Sequence, residues 1–315
     1  MNKAQFLLNV MVGLVLGALG TGTLAAQNVP AASGVPARMV VTEEPNQGSG
    51  VPAIGSQDVI VSEGQEHDQV TGWVPAQGDH AGLELYILLD DGSTASLGTQ
   101  LGDIRQFILG QPNSAQIGIA YMRNGIAMIA QKPTSDHTLA AKALRLPLGI
   151  SGANGSPYFS LADLVKRWPK SNNRREVLMI SDGVDRYYEG NDLLDPYLAE
   201  AIKKTQRAGI VVSVIYNPGV GDFGQGDWQR YLGQVYLAQV AHETGGQAYY
   251  IGFNAPAVAF APYLKDLANR LNHQYLLSFV AEPRGKAGLE PVELTTEVAN
   301  AKLVAANRVY VSAAR

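Results

Sequence analysis

The sequence contains no cysteine. That excludes a disulfide framework, a zinc–thiolate site, a thiol nucleophile and a lipid-acylated N-terminus, and leaves a packed core as the source of stability. Charge is sparse, at 17% of residues, and has no basic excess: 24 Lys and Arg stand against 28 Asp and Glu, a formal net charge of −4. Such a balance does not neutralise a phosphate backbone, so nucleic acid is not an expected partner. What the chain does have is 46% hydrophobic residues over 315 positions, with 34 Gly and 16 Pro. This is the composition of a foldable globular protein, and the length suits one large α/β domain with short attachments.

Lys3 precedes the apolar stretch 6–20, and the small-residue run 21–26 follows it. This is the layout of a secretory signal peptide over residues 1–26, with cleavage after Ala25 or Ala26. The apolar stretch is shorter than the roughly 20 residues of a bilayer span, so membrane attachment is expected only if the segment stays uncleaved as an anchor. An exported chain without cysteine suits a periplasmic or secreted location.

Residues 27–55 are rich in Pro, Gly, Ala and Ser with one short apolar run, 39–41, and are expected to be a flexible linker. Residues 58–62 and 68–73 flank a polar turn and predict a β hairpin, an annex over 56–79. From Leu83 onward short apolar runs alternate with helical stretches, the pattern of a mostly parallel sheet covered on both faces. The predicted strands are 83–89, 116–122, 126–130, 176–181, 210–215 and 247–251. Asn124-Gly125 marks a two-residue hairpin and hence one antiparallel edge strand. Predicted helices start after Ser135 or Asp136, at Ser160, at Pro196, after Asp227 and at Phe260. Runs at 275–280, 291–296 and 302–311 predict C-terminal strands over 273–315 that pair with the N-terminal hairpin. The expected fold is therefore α/β: Rossmann-like, doubly wound, a mostly parallel six-stranded sheet over residues 80–272, plus a small β annex from both flanks.

Ligands of open α/β sheets bind beyond the carboxyl ends of the strands. Three loops there carry oxygen donors: Asp90-Asp91-Gly92-Ser93-Thr94-Ala95-Ser96, Gly155-Ser156 and Ser181-Asp182-Gly183. Converging carboxylates and hydroxyls suit Mg²⁺ that keeps waters and an open vertex, where a partner's carboxylate can bind. The runs LYILLDDGSTAS (85–96), VLMISDGVD (177–185), GIVVSVI (209–215) and LAQVAHETGGQAYYI (237–251) stand in an order and spacing that resemble a von Willebrand factor type A domain. The variant resembled is that of exported VWFA-related proteins of acidobacterial type. The resemblance implies a Rossmann-like fold and a metal-ion-dependent adhesion site whose first loop reads Asp-x-Ser-x-Ser, completed by a Thr and a second Asp. If Asp91 is the first ligand, Ser93 matches and Ala95 fails. If Asp90 is, Gly92 fails and Thr94 supplies the last hydroxyl. Ser156 matches the Thr by position with its hydroxyl kept, and Asp182 matches the second acid. The implied site is thus degenerate, and its Mg²⁺ occupancy stays open.

Plainer roles compete at each position. Asp90, Asp91 and Asp182 suit turns and helix caps. His242-Glu243 lacks the second His that a zinc protease needs, because residue 246 is Gly. The glycines of 219–226 follow a late strand without opening a helix as a dinucleotide site requires, and read as a mobile surface loop. Tyr216, Phe223, Trp228 and Tyr231 offer an apolar contact surface beside the crevice, with core packing of the helix as the alternative for Trp228 and Tyr231. The expected function is an exported protein–protein interaction module of adhesion type, not an enzyme, binding a protein or peptide at the upper rim of the sheet. The alternatives are a metal-independent scaffold for envelope or secretion machinery acting through its flanking strands and, with less support, a metal-dependent hydrolase using Asp90, Asp91 and Asp182.

Overall fold

The computed structural model describes residues 34–314 apart from 49, 153, 189–193, 219–225, 251–258 and 284. The signal segment, most of the 219–226 loop with Phe223, and Ile251 therefore lie outside the described residues. In chain order the elements are β1 (Val35–Pro45), β2 (Val59–Glu63), β3 (Glu66–Pro75), β4 (Leu83–Asp90), α1 (Leu101–Leu109), β5 (Ala115–Arg123), β6 (Ile126–Thr134), α2 (His137–Lys142), α3 (Pro157–Arg167) and β7 (Arg174–Ser181). They continue with α4 (Pro196–Arg207), β8 (Ile210–Tyr216), α5 (Asp227–Thr244), β9 (Ala248–Tyr250), α6 (Ala261–Asn272), β10 (Gln274–Ala281), β11 (Gly288–Pro291), β12 (Glu293–Thr296), β13 (Ala301–Ala305) and β14 (Arg308–Val311). No helix among the described residues is long and apolar enough to cross a membrane.

One sheet has the order β6-β5-β4-β7-β8-β9. Strand β4 runs parallel to β5 and β7, β8 runs parallel to β7 and β9, and β6 returns antiparallel to β5. The return is made by Asn124 and Gly125, both at positive φ (53° and 70°), as a two-residue hairpin needs. The central strands β4, β7 and β8 are mainly apolar because both faces are covered, whereas the edge strand β6 alternates exposed positions with buried or half-buried ones. Leu83, Leu85, Ile87 and Leu89 of β4 pack with Ile104 and Ile108 of α1 and Leu264 and Leu267 of α6. Tyr86 and Leu88 point the other way, into Leu161 of α3, Leu198 of α4 and Leu237 of α5. The chain leaves β4 for β5 on one side and later returns to β7 on the other, so the gap between the carboxyl ends of β4 and β7 is the switch point where a crevice opens.

The flanks build more than a small annex. They form a second six-stranded sheet, β12-β2-β3-β10-β1-β13, antiparallel throughout, and a ribbon of β11 with β14. Its pairings of β3 with β10 and of β2 with β12 join the N-terminal hairpin to the C-terminal strands. The main correction falls on residues 27–55, which are not all linker, since Val35–Pro45 is the interior strand β1. It pairs from Val35↔Ala281 to Thr42↔Gln274 on one side and from Val41↔Ala305 to Pro45↔Ala301 on the other. Its own apolar content is modest, but Val35, Ala37 and Val41 meet Leu277, Phe279 and Leu303, and both backbone edges are hydrogen-bonded. The partners that overcome its ordering entropy are more than 200 residues away in sequence.

Arg174 ties the two sheets together. It is buried at the start of β7 and donates to the carbonyls of Leu271 (3.0 Å) and Ala81 (3.3 Å) and to the Gln274 side chain. At the other edge Ala127 of β6 has both backbone groups taken by α3: its N–H donates to Asp163 Oδ2 (3.0 Å) and its carbonyl accepts from Arg167. An added strand cannot pair with β6 at that point, which is one way natural sheets protect an edge.

Candidate functional site

The loop after β4 puts its two acids to different uses. Asp90 is buried, and its Oδ1 accepts from the Gly92 N–H (2.9 Å) while Oδ2 accepts from the Ser181 hydroxyl (2.8 Å) at the end of β7. Burial and the negative charge of Asp182 push its pKa from 3.8 up to about 6, against the opposing pull of Arg186 and these two donors. The acids after β4 and β7 are thus electrostatic neighbours, as the crevice geometry requires. Asp91 is turned to another task. Its carboxylate takes both guanidinium nitrogens of Arg145 (2.7 and 3.0 Å) and the Leu148 N–H (3.0 Å), and its carbonyl takes the Ile150 N–H (3.2 Å). Arg145 also lies 3.8 Å over the Tyr121 ring, and its N–H donates to the Tyr121 hydroxyl (2.7 Å). Asp91 is therefore the anchor of the segment 145–150.

The remaining donors are also engaged. Ser93 Oγ, fully buried, accepts from Asn217 Nδ2 (3.2 Å). Thr94 precedes a short 3-10 turn, Ala95–Thr99. Ser156 is the N-cap of α3, which starts at Pro157, three residues before the expected Ser160; its Oγ accepts from the Phe159 N–H (3.3 Å) and donates to Asp185 Oδ2 (2.6 Å). The Pro at the first helical position explains the earlier start, because a missing N–H costs nothing there. Asp182 accepts from the Val184 N–H (3.0 Å) through Oδ1 and from Arg186 Nη2 (2.6 Å) through Oδ2, with Nη1 at 3.4 Å from Oδ1.

Sequence reasoning missed Arg145, Ser151, Asp185, Arg186 and Asn217. Asp185 and Arg186, three and four residues after Asp182, are local to that turn, whereas Arg145 reaches Asp91 across 54 positions.

As a Mg²⁺ cradle this arrangement does not fit. Asp91 and Asp182 are each paired with a guanidinium, and Ser156 donates its proton to Asp185. In the register that starts at Asp90, the place of the missing hydroxyl is taken by Ser151: a Cβ on Gly92 would stand 1.9 Å from Ser151 Oγ, which would have to turn away. Among the described residues there is no group of three or more His, Asp or Glu that could hold a metal. The small cavity bounded by Asp90, Asn124, Ser151 and Ser156 measures about 10 Å³, room for one water centre.

Two glycines explain why the turn after β7 reads Asp-Gly. Gly183 has φ of +71°, and a Cβ there would meet the Gly233 carbonyl at 2.2 Å; a Cβ on Gly233, inside α5, would meet the Asp182 carbonyl at 2.2 Å. The helix and the acidic turn touch backbone to backbone. In an ordinary helix interior Gly→Ala gains up to about 1 kcal/mol. Gly233→Ala is instead expected to lose about 1–3 kcal/mol through overpacking, read as a lower urea midpoint.

The rim also exposes apolar side chains. Leu146, Leu148 and Ile150 are 53%, 51% and 57% exposed, on the segment that Asp91 holds. Tyr187, 45% exposed, packs on Phe159 and Tyr197 (centroids 5.0 and 5.4 Å), and its N–H donates to Asp185 (2.8 Å). Of the aromatics singled out in the sequence, Tyr216 is buried, whereas Trp228 and Tyr231 are half-exposed and stacked at 5.4 Å. His242 lies on the exposed side of α5, away from any ligand set.

No family model matches the chain, and no curated protein matches it. Among solved structures it is similar to an aerotolerance-related membrane protein from Bacteroides fragilis, with 20% identity over 61% of this chain and 99% of that one, at a TM-score of 0.43. It is also similar to the SpRpn10 VWA domain, with 12% identity over 59% of this chain and 93% of that one, at 0.36. A third is the three N-terminal domains of the type V pili tip protein Mfa5 from Porphyromonas gingivalis, with 10% identity over 90% of this chain and 67% of that one, at 0.41. Values this low do not assign a family.

Proposed function

We propose that this chain is an exported protein-interaction module that binds a protein or peptide at the carboxyl rim of the parallel sheet. The observation that carries the reading is the segment 145–150. A buried carboxylate, Asp91, spends its bonding capacity on fixing a surface strip whose large side chains, Leu146, Leu148 and Ile150, face solvent. Exposed apolar side chains on a preorganised backbone lose little entropy on binding, which is how contact surfaces gain affinity. The Lys3 and 6–26 pattern supports export to the periplasm or beyond. The scaffold alternative by strand addition is not favoured at β6, where α3 takes both backbone groups of Ala127, and would have to use the edge strands β12 or β13 of the flanking sheet.

The test is affinity capture from an envelope extract with the wild-type chain and the Leu146→Asp/Leu148→Asp variant side by side. Both side chains are exposed, so the variant is expected to melt within a few degrees of wild type. A partner retained by wild type and lost by the variant supports the rim reading. A partner retained equally by both overturns it.

A further inference from the structure

We infer that Arg186 is the resident cation of this rim, standing where a divalent ion would otherwise neutralise the acids and thereby excluding it. Three observations converge on that residue. Its guanidinium pairs with Asp182 through Nη2 (2.6 Å) and Nη1 (3.4 Å), and Nη1 also donates to the Val184 carbonyl (3.3 Å). Its backbone N–H donates to the Gly155 carbonyl (3.3 Å), and its Cδ lies 3.5 Å from where a Cβ on Gly155 would stand, so the stem runs across the loop that carries Ser156. Burial disfavours its charge, yet Asp182, Asp90 and Asp185 together hold its pKa above the ordinary value. The guanidinium is thus paired with the acid of the β7 loop and also acts electrostatically on Asp90 of the β4 loop.

Two further features agree with a site rebuilt around a side-chain cation. Ser151 Oγ occupies the place a side chain on Gly92 would need, and Ser156 donates to Asp185. A dication placed among these oxygens would also face a fixed guanidinium at contact range, a repulsion the same two acids cannot offset twice. Unlike a metal, the arginine cannot be removed by a chelator, so the rim keeps one electrostatic state in cation-poor and cation-rich surroundings alike.

The experiment is thermal melting of the full chain in 10 mM Mg²⁺ and in EDTA, where 10 mM is a roughly saturating choice for a weak site. It is run on wild type, Arg186→Ala, and Arg186→Gln, the last keeping length and a donor in case the alanine variant does not fold. Wild type is expected to melt at the same temperature in both media. A variant lacking the cation is expected to gain about 2–4 °C from Mg²⁺, and to lose that gain when Asp182→Asn is added. The inference is overturned if neither variant responds to Mg²⁺. It is equally overturned if wild type binds one Mn²⁺ by electron paramagnetic resonance and Asp182→Asn abolishes that binding. Because the readout is melting and metal binding, it fails or succeeds independently of what the rim contacts.

Discussion

Asp182→Asn is expected to destabilise the protein by about 2–4 kcal/mol, because it leaves Arg186 partly buried without its closest carboxylate. Asp90→Asn should behave in the opposite sense. Asp90 has no arginine paired to it among the described residues: its donors are the Gly92 N–H and the Ser181 hydroxyl, and its charge is opposed by burial and by Asp182. With a folded pKa raised from 3.8 to about 6, the folded state holds the proton more tightly than the unfolded chain. The corresponding stability is fully present below about pH 4 and is lost as pH rises through about 6. At pH 7.5 the neutral amide removes that penalty, can keep the Gly92 bond through its oxygen and can donate to Ser181 through its nitrogen. The Asn variant is therefore expected to equal or exceed wild type by about 1–3 kcal/mol at pH 7.5 and to lose the advantage at pH 4. Urea midpoints of both variants at the two pH values check this. Equal losses for Asp90→Asn and Asp182→Asn at pH 7.5 would show that the two acids are not differently compensated.

The second large effect belongs to Asp91. Asp91→Ala removes the acceptor of two guanidinium bonds and of the Leu148 N–H, and should destabilise the protein by about 3 kcal/mol. Arg145→Ala should cost about as much, roughly 2–3 kcal/mol, since it leaves the buried Asp91 carboxylate, 1% exposed, with the Leu148 N–H but without its cation. The diagnostic readout is amide hydrogen exchange. In Asp91→Ala the amides of Leu148 and Ile150 should exchange with sub-global protection while β4 and β7 stay protected. If the whole chain loses protection together, Asp91 is a general stability element and not the anchor of the contact strip. If the strip alone loosens, partner capture should weaken in the same variant, which links this bond set to the proposed interaction.

Much of the site's position was legible before any coordinates. The apolar runs ending at Asp90 and Ser181 placed both acids at strand ends, and the strand order brings those ends together. Their chemistry was less legible. Whether Asp90 or Asp91 faces the crevice depends on which carboxylate Arg145 claims, and Arg145 follows a separate helix, α2. Ser156 could be read as a helix cap only once the helix was known to begin at Pro157. The same limit hid β1: its sequence resembles a linker because its stabilising contacts belong to β10 and β13.

Periodicity and turn residues act within a few positions of one another, and such local rules determined the alternating strands and helices, the Asn124-Gly125 hairpin and the location of the acidic turns at strand ends. Tertiary structure alone decided which donors each acid meets, that Arg186 pairs with Asp182, and that the flanks assemble a full second sheet. Those outcomes are set by charges and backbone edges that meet across tens to hundreds of residues, where one buried pair or one interior strand outweighs the preference of the segment itself.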